Sequence, residues 1–401
     1  MGHNQILQSM RGIAALMVVY GHAAMLMPMQ NNAAFTTEVV LFEAKSAVVF
    51  FFVLSGFVLG ESVRRLLSDG LPLWFARYAI IRIARLLPIF WLSTVLGAAI
   101  CIVSARYQLS DMGPWYYMAA AKNAPTWSAL VEALAKLSIS FNGNLWSIRV
   151  EYWMIALLPP MVLLSPRIPV WADLVIILAG CGLGRALNPA IGGSELSWVL
   201  CYVYCFYIGV ALPKIIDALG HLRPLLCSGV TAILSFALML RLQRLTAGAF
   251  DWGNKLILDG LLSAPLIAWA HVTRQSLGAR LLTLRLLVRL GDMSYSVYAY
   301  GQCLLVLATI IVVPMLPHEM MTDPWGGAFI TLLVPTASLA LLLPLSWLSY
   351  VYVEQKCTRL GRRISLAIPS LPLGWIPVWS APHPEKQRLI SETHLSRSQG
   401  A

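Results

Sequence analysis

Arg11 and His22 are the first residues whose types and spacing could support chemistry. They bound the apolar stretch Arg11-Gly-Ile-Ala-Ala-Leu-Met-Val-Val-Tyr-Gly-His22. At about 1.5 Å of rise per helical residue, the two lie roughly 16 Å apart, about half the hydrocarbon depth of a bilayer. A neutral imidazole at that depth can take a proton from a hydroxyl and return it to a leaving thiolate. The structural alternative is a hydrogen bond from His22 to a neighbouring helix.

A second candidate is the basic run Arg77-Tyr-Ala-Ile-Ile-Arg82-Ile-Ala-Arg85-Leu-Leu-Pro88. Arg82 and Arg85 are three residues apart and therefore share a helix face. Two guanidinium groups that point the same way can hold phosphates bidentately, as a nucleotide-like ligand requires. The alternative is a topogenic cluster that contacts lipid head groups.

A third candidate is Glu151, in Asn144-Leu-Trp-Ser-Ile-Arg-Val-Glu151-Tyr-Trp153, where a carboxylate enters an apolar segment. A buried carboxylate needs a partner. Glu151 could orient an imidazole or bind a sugar hydroxyl, or it could form a salt bridge to Arg149 or to another helix.

Three hydroxyl-bearing residues complete the candidate site. Ser55 lies in Phe50-Phe-Phe-Val-Leu-Ser-Gly-Phe57, where a small Ser-Gly pair interrupts an aromatic run. This pair favours either substrate contact or close packing between helices. Tyr295 and Tyr298 share a helix face and could line a polar cavity, although anchoring at the membrane interface explains them equally well.

The composition shows which elements must position these residues. The chain has 401 residues, of which 58% are hydrophobic and 12% charged, so it has too little polar surface for a water-soluble globule. The net charge of +11 fits the basic excess of cytoplasmic loops, and no polar domain suggests nucleic-acid binding. The seven cysteines are dispersed, so neither a disulfide framework nor a metal site is predicted.

Hydropathy and turn residues predict an all-α integral membrane protein, a single bundle of about ten transmembrane helices. The first helix is retained rather than cleaved as a signal peptide. Loop charges favour an N-terminus and a C-terminus in the cytoplasm. The predicted spans are 12–30, 46–63, 79–104, 145–165, 170–187, 196–213, 224–241, 256–272, 291–316 and 326–353.

Outside these spans, residues 105–144 form the longest connection, and their tryptophans and tyrosines suit an interfacial, partly helical segment. We predict one membrane core over residues 1–363 and a disordered cytoplasmic tail over residues 364–401, which is rich in proline and polar residues.

The order of the motifs is more specific than any one of them. The chain contains six motifs in this order: Leu-Gln-Ser-Met-Arg-Gly-Ile-Ala-Ala with His22, Phe-Phe-Val-Leu-Ser-Gly-Phe, Arg-Ile-Ala-Arg-Leu-Leu-Pro, Leu-Trp-Ser-Ile-Arg-Val-Glu, Ser-Tyr-Ser-Val-Tyr and Val-Glu354. In this order the chain resembles the acyltransferase-3 family of integral membrane acyltransferases, over residues 6 to 363.

The resemblance implies an O-acyltransferase, and an O-acetyltransferase in particular. Acetyl-coenzyme A or another acyl-coenzyme A would be the donor, and a glycan or glycolipid such as an exopolysaccharide or lipopolysaccharide would be the acceptor. The protein would lie among the lipids of the inner (plasma) membrane. The resemblance makes Arg11 and His22 an essential pair, Arg82 and Arg85 cations on the donor side, and Glu151 an acidic group of the active centre.

Two positions depart from the family pattern. The family often has an acidic residue where Gln8 stands, and often a histidine where Gly301 stands. The helix that carries Gly301 is therefore not expected to supply required proton chemistry, or the acceptor differs.

Several mechanisms and functions remain open at this stage. The acyl group could pass directly to the acceptor with His22 as base, or it could first be held on a protein side chain. A transporter of a glycan or lipid intermediate is the alternative from another class. A polymerase or ligase that uses a lipid-linked sugar would need larger loops. The acceptor, the acyl length and the oligomeric state do not follow from the sequence.

Overall fold

The computed structural model describes a helical membrane protein. It covers residues 4–26, 42–68, 73–107, 109–110, 112–119, 125–187, 195–245, 252–273, 276–317, 319–320 and 323–367. All the regular secondary structure in these ranges is helical, and they contain no strand. The predicted all-α class is therefore confirmed. Residues 368–401, most of the predicted tail, lie outside the described residues.

The first half of the chain contains three long helices, then two short ones in the connection 105–144, then three more long helices. The bounds are α1 (Gln5–Leu26), α2 (Ala44–Ser68), α3 (Trp74–Arg106), α4 (Pro114–Ala119), α5 (Trp127–Lys136), α6 (Trp146–Leu164), α7 (Val170–Ala186) and α8 (Glu195–Ala218). Two 3₁₀ turns, Gly143–Leu145 and Ser165–Arg167, flank α6.

The second half contains four long helices, three short ones and a terminal helix of intermediate length. The bounds are α9 (Arg223–Leu226), α10 (Gly229–Leu245), α11 (Trp252–Val272), α12 (Leu277–Leu282), α13 (Arg285–Asp292), α14 (Ser294–Val312), α15 (Pro324–Ser349) and α16 (Gln355–Ala367). Residues Tyr350–Glu354 form a π-helical turn between α15 and α16. Two 3₁₀ turns, Gly220–Leu222 and Val313–Met315, precede α9 and follow α14.

The described residues contain eight helices that are long and apolar enough to cross a membrane. A ninth arises if the bent pair Gly220–Leu226 and Gly229–Leu240, inclined by 58°, counts as one span. The predicted span 170–187 corresponds to α7, whose 17 residues are at the short end of the spanning range. Residues 27–30 of the first predicted span lie outside the described residues. The chain is thus a multi-pass membrane protein.

Glycines allow α2 and α8 to pack closely. A Cβ atom at Gly56 would collide with the carbonyl oxygen of Phe206, and one at Gly209 would collide with that of Val53. Membrane helices associate through such small residues because lipid provides no hydrophobic drive between them. The close-packing interpretation of the Ser-Gly pair therefore holds for Gly56.

Two ionic clusters join different segments of the bundle. Lys214 on α8 donates to Asp173 on α7 at 2.6 Å, and the same carboxylate accepts from Tyr207. Lys255 on α11 donates to Asp259 at 2.8 Å and lies 3.8 Å from Glu43, just before α2. Each lysine is thus paired with carboxylate, as a charge inside a membrane protein requires.

Candidate active site

A small polar cavity of about 60 Å³ lies between α1, α2, α3, α6 and α14. Except for His22, every site residue predicted from the sequence lines it. These residues are Arg11, Ser55, Arg82, Arg85, Glu151, Tyr295 and Tyr298. Five separate helices thus bring together side chains that are up to 287 positions apart in the sequence, from 11 to 298.

Arg82 and Glu151 form the central ion pair of the cavity. Nη2 of Arg82 on α3 lies 3.1 Å from Oε2 of Glu151 on α6. The other carboxylate oxygen, Oε1, accepts a hydrogen bond of 3.3 Å from Ser55 on α2. Among the partners that the sequence allows for Glu151, the structure shows a salt bridge to an arginine of another helix. A charge-assisted pair of this kind is stronger than a neutral hydrogen bond.

Arg85 has a different carboxylate partner, Glu354, which the sequence analysis quoted in a motif but did not assign to the site. The two side chains approach to 3.3 Å, and Glu354 is buried. Glu354 closes the π-helical turn between α15 and α16. Because π-helical turns are frequent at functional sites, this turn together with the ion pair makes Glu354 a candidate residue of the site.

Arg11 joins the same group of charges from α1. The side chains of Arg82, Arg85, Glu151 and Glu354 all lie close enough to interact with it electrostatically. Three guanidinium groups therefore face two carboxylates, which leaves one excess positive charge when all five are ionised. The Nε atom of Arg82 is buried and has no hydrogen-bond partner among the residues that the structure describes. This arrangement favours an anionic or strongly polarised ligand.

Close packing of α1 against α13 sets the position of Arg11. A Cβ atom at Gly12 would lie 2.7 Å from the backbone nitrogen of Gly291. One turn earlier, Gln8 donates a 3.0 Å hydrogen bond to Asp292. The Asp292 carboxylate would repel an acidic residue in place of Gln8. Glutamine at this position, where the family often has an acidic residue, is therefore consistent with the contact to Asp292.

The two tyrosines contribute their rings to the cavity, whereas their hydroxyl groups are already bonded to protein. Tyr295 donates to the carbonyl oxygen of Leu86 at 2.9 Å. Tyr298 donates to that of Asn144 at 2.9 Å and accepts from Ser147 at 2.7 Å. Both rings are buried in the bundle, so the interface-anchor interpretation does not describe them.

His22 lies outside the cavity, farther along α1. Its ring stacks on Trp115 of α4, with centroids 4.5 Å apart. Eleven residues of α-helix return to nearly the same face, so Arg11 and His22 share one side of α1 about 16 Å apart. Ala15 and Val18 lie between them on that side and are fully buried. Packed side chains therefore separate His22 from Arg11 and the cavity.

Within the described part of the chain, the nitrogen Nδ1 of His22 is buried and has no hydrogen-bond partner of good geometry. The backbone of Val18, one turn earlier, is within reach of the imidazole. A bond to a neighbouring helix, the structural alternative for His22, is therefore not made through Nδ1. Trp115 was noted in the sequence as an aromatic anchor, and its contact with His22 was missed because no motif encodes it.

Gly301 lies on α14 beside the part of α1 between Arg11 and His22. A Cβ atom at Gly301 would lie 3.0 Å from Cγ2 of Val19. A histidine at this position would need space that Val19 now fills, so glycine here permits closer approach of α1 and α14.

A family model described as an acyltransferase domain matches residues 4–354. This match begins before Arg11 and ends at Glu354, so it includes every residue of the cavity and His22. No curated protein and no solved structure matches the chain.

Proposed function

This chain belongs to the acyltransferase-3 family, and we propose that it moves an acyl group from a coenzyme A thioester to a hydroxyl group of a glycan or glycolipid. The membrane location and the family support acyl transfer within the bilayer. The proposed acyl group is acetyl, as the resemblance to this family implies.

The observation that carries the proposal is the excess of arginine in the cavity. Arg82 and Arg85 present guanidinium groups on one face of α3, and each is held by a carboxylate of another helix. An arginine has five N–H donors, so each can keep its carboxylate and still bind phosphate oxygens. We assign these two residues to the phosphates of the donor.

Arg11 and His22 have separate roles in the proposed reaction. A neutral His22 takes the proton of the acceptor hydroxyl while the hydroxyl oxygen attacks the thioester carbonyl carbon. The carbon–sulfur bond then breaks, and the thiolate of coenzyme A takes the proton back from the imidazolium. The roughly 16 Å between the two residues assigns Arg11 to the donor rather than to direct support of the imidazole. Glu151 orients Arg82 and Ser55.

The direct reaction requires the donor to extend from the arginines to His22. Coenzyme A carries its thioester on an extended pantetheine arm, which suits a donor bound at one end and reacting at the other. Because Ala15 and Val18 are fully buried, α1 and its neighbours must separate to admit this arm.

In the two-step variant, a cavity side chain takes the acyl group first. Ser55 is a suitable hydroxyl because it already donates to the Glu151 carboxylate at 3.3 Å. This variant predicts an acyl-protein ester that Ser55→Ala abolishes, and the direct reaction predicts none.

The proposed location is the inner (plasma) membrane with both termini in the cytoplasm. The basic helix α16 and the arginines of α3 would then be on the side where coenzyme A thioesters are made available. This orientation follows the excess of basic residues in cytoplasmic segments.

The test is binding and turnover of radiolabelled acetyl-coenzyme A by the purified protein in lipid nanodiscs, with His22→Ala as the comparison. We expect both proteins to bind the donor and only the wild type to release label from the thioester. Absence of donor binding in both would reject acyl transfer and favour the transporter. Normal turnover by His22→Ala would reject His22 as the base.

A further inference from the structure

A second, much larger cavity has no role in the proposed reaction. It is an apolar groove of about 750 Å³ between α1, α2, α10, α11 and α12. Met10, Ala14 and Met17 line it from α1, on a different face from Arg11. Except for Ser46, Thr273 and Ser276, its lining residues are apolar or glycine.

The length of the groove matches one leaflet of a bilayer. Along α10 the lining extends from Gly229 to Leu240, a step of eleven residues or about 16 Å of helix. This is about half of the ~30 Å hydrocarbon thickness. Because the chain spans the membrane, the medium beside these helices is hydrocarbon, and apolar walls do not hold water.

One end of the groove is polar and adjoins a basic residue. Thr273 and Ser276 line this end, directly beyond the span Lys255–Val272. Arg280 does not line the groove itself, but it follows Ser276 by one helical turn and therefore lies on the same side of α12 as Ser276. Arg280 is exposed and has no carboxylate partner among the residues that the structure describes. A basic residue in this position attracts an anionic headgroup.

We propose that this groove binds one hydrocarbon chain of an anionic phospholipid, with the phosphate of the lipid at Ser276 and Arg280. The apolar lining of the groove suits a hydrocarbon chain, and the length of the groove suits a lipid of one leaflet. The arginine beside the polar end of the groove suits a negatively charged headgroup. A neutral lipid would satisfy the first two features but would leave Arg280 without a counterion.

The position of the groove implies a further effect of the bound lipid. Its hydrocarbon chain would pack against α1, the helix that carries Arg11 and His22, and so fix the distance between α1 and α2. Turnover would then depend on anionic lipid. This consequence rests on the proposed acyltransferase function, whereas lipid binding itself does not.

The binding test is native mass spectrometry of the full-length protein in detergent, titrated with phosphatidylglycerol or phosphatidylcholine. Gly278→Leu places a side chain in the groove, and its Cβ atom would meet Trp269 at an ordinary 3.4 Å. Gly182→Leu is the matched control, because a Cβ atom at Gly182 has nothing within 4 Å. Arg280→Gln is paired with Arg106→Gln, which removes an exposed arginine at the end of α3.

We expect one phosphatidylglycerol per protein in the wild type and in both controls, and loss of that adduct in Gly278→Leu. Arg280→Gln should weaken phosphatidylglycerol binding about fivefold and leave phosphatidylcholine binding unchanged. Acetyl-coenzyme A turnover in nanodiscs should rise with the phosphatidylglycerol content.

Three outcomes would overturn the proposal. Equal binding of both lipids would reject the anionic headgroup, and an adduct retained in Gly278→Leu would place the lipid elsewhere. A dimer that dissociates only in Gly278→Leu would show that a second copy covers the groove. If the lipid binds as expected while no variant turns over acetyl-coenzyme A, the acyltransferase assignment fails and the lipid site stands.

Discussion

The imidazole of His22 lies parallel to the indole of Trp115, with the two ring planes inclined by only 12° and the centroids 4.5 Å apart. Trp115 belongs to α4, which is tied to the end of α1 by a 2.8 Å hydrogen bond from the Gly113 nitrogen to the Leu26 carbonyl oxygen. The connection between α3 and α6 therefore reaches back to the proposed base. An indole face also favours a cationic ring over a neutral one.

Trp115→Leu should lower the turnover of acetyl-coenzyme A about tenfold, because the imidazolium formed during transfer loses its aromatic neighbour. The apparent affinity for the donor should not change, since Arg11 lies about 16 Å from His22 along α1 and Arg82 and Arg85 line the same cavity as Arg11. Steady-state kinetics in nanodiscs separate the two effects. Trp115→Phe should keep most of the activity, and the highly exposed Trp127 offers a control in the same connection. An equal loss in Trp127→Leu would indicate a general effect on this connection.

Arg82→Ala should weaken donor binding ten- to a hundredfold, on the order of the ~1.5–3 kcal/mol of a hydrogen bond to a charged group. Arg82→Lys should recover only part of the affinity, because lysine keeps the charge but not the planar fork. Titration with labelled donor measures both variants. The control is Arg65→Ala, which removes an arginine that pairs with Glu61 on an exposed helix surface. Unchanged donor affinity in Arg82→Ala would leave Arg82 with a topogenic role only.

The seven predicted residues that line the cavity could be found in the sequence because each belongs to a short motif. The spacing of Arg82 and Arg85 places both on one helix face, and Glu151 stands out as a carboxylate in an apolar run. Their partners could not be predicted in the same way. Glu354 is 269 positions from Arg85, and no local pattern pairs the two. Helix packing decides which charges meet.

Other differences between the prediction from the sequence and the structure also arise from helix packing. Hydropathy predicts one span over 224–241, but the chain bends by 58° between Leu226 and Gly229. Lys255 does not stand out in the sequence, although Asp259 lies one helical turn after it, because the burial of this pair and its approach to Glu43, 212 positions away, depend on helix packing. Likewise, the step from Arg11 to His22 was predicted as a distance along α1, whereas the packing of Ala15 and Val18 between them depends on neighbouring helices.

Lys255→Met should destabilise the protein by about 3–5 kcal/mol, because it leaves the carboxylates of Asp259 and Glu43 buried without their cation. Thermal unfolding in detergent should show a lower midpoint. Lys136→Met is a matched control, since Lys136 and Glu132 also form a lysine–carboxylate pair one helical turn apart, but an exposed one. We expect no measurable change there. Asp259→Asn combined with Lys255→Met should recover part of the loss. Equal midpoints for Lys255→Met and the wild type would show that this cluster does not stabilise the fold.

Gly301→Ala should destabilise the contact between α14 and α1 by about 1–3 kcal/mol, because its Cβ atom would crowd Val19. Val19→Ala should relieve this effect, so the double variant should be more stable than the sum of the single changes predicts. A double-mutant cycle of thermal midpoints measures the coupling, and strict additivity would mean that the two helices adjust elsewhere.

Cys357 on α16 should react from the cytoplasmic side only, if the proposed orientation is correct. It is the one described cysteine that is partly exposed, and the other six are buried. A membrane-impermeant maleimide should therefore leave the protein unlabelled in spheroplasts and label it in inverted membrane vesicles. Cys357→Ser should abolish that labelling and so assign it to this residue. Labelling in intact spheroplasts would place α16 and the arginines of α3 on the opposite face, where a cytoplasmic coenzyme A thioester could not reach them.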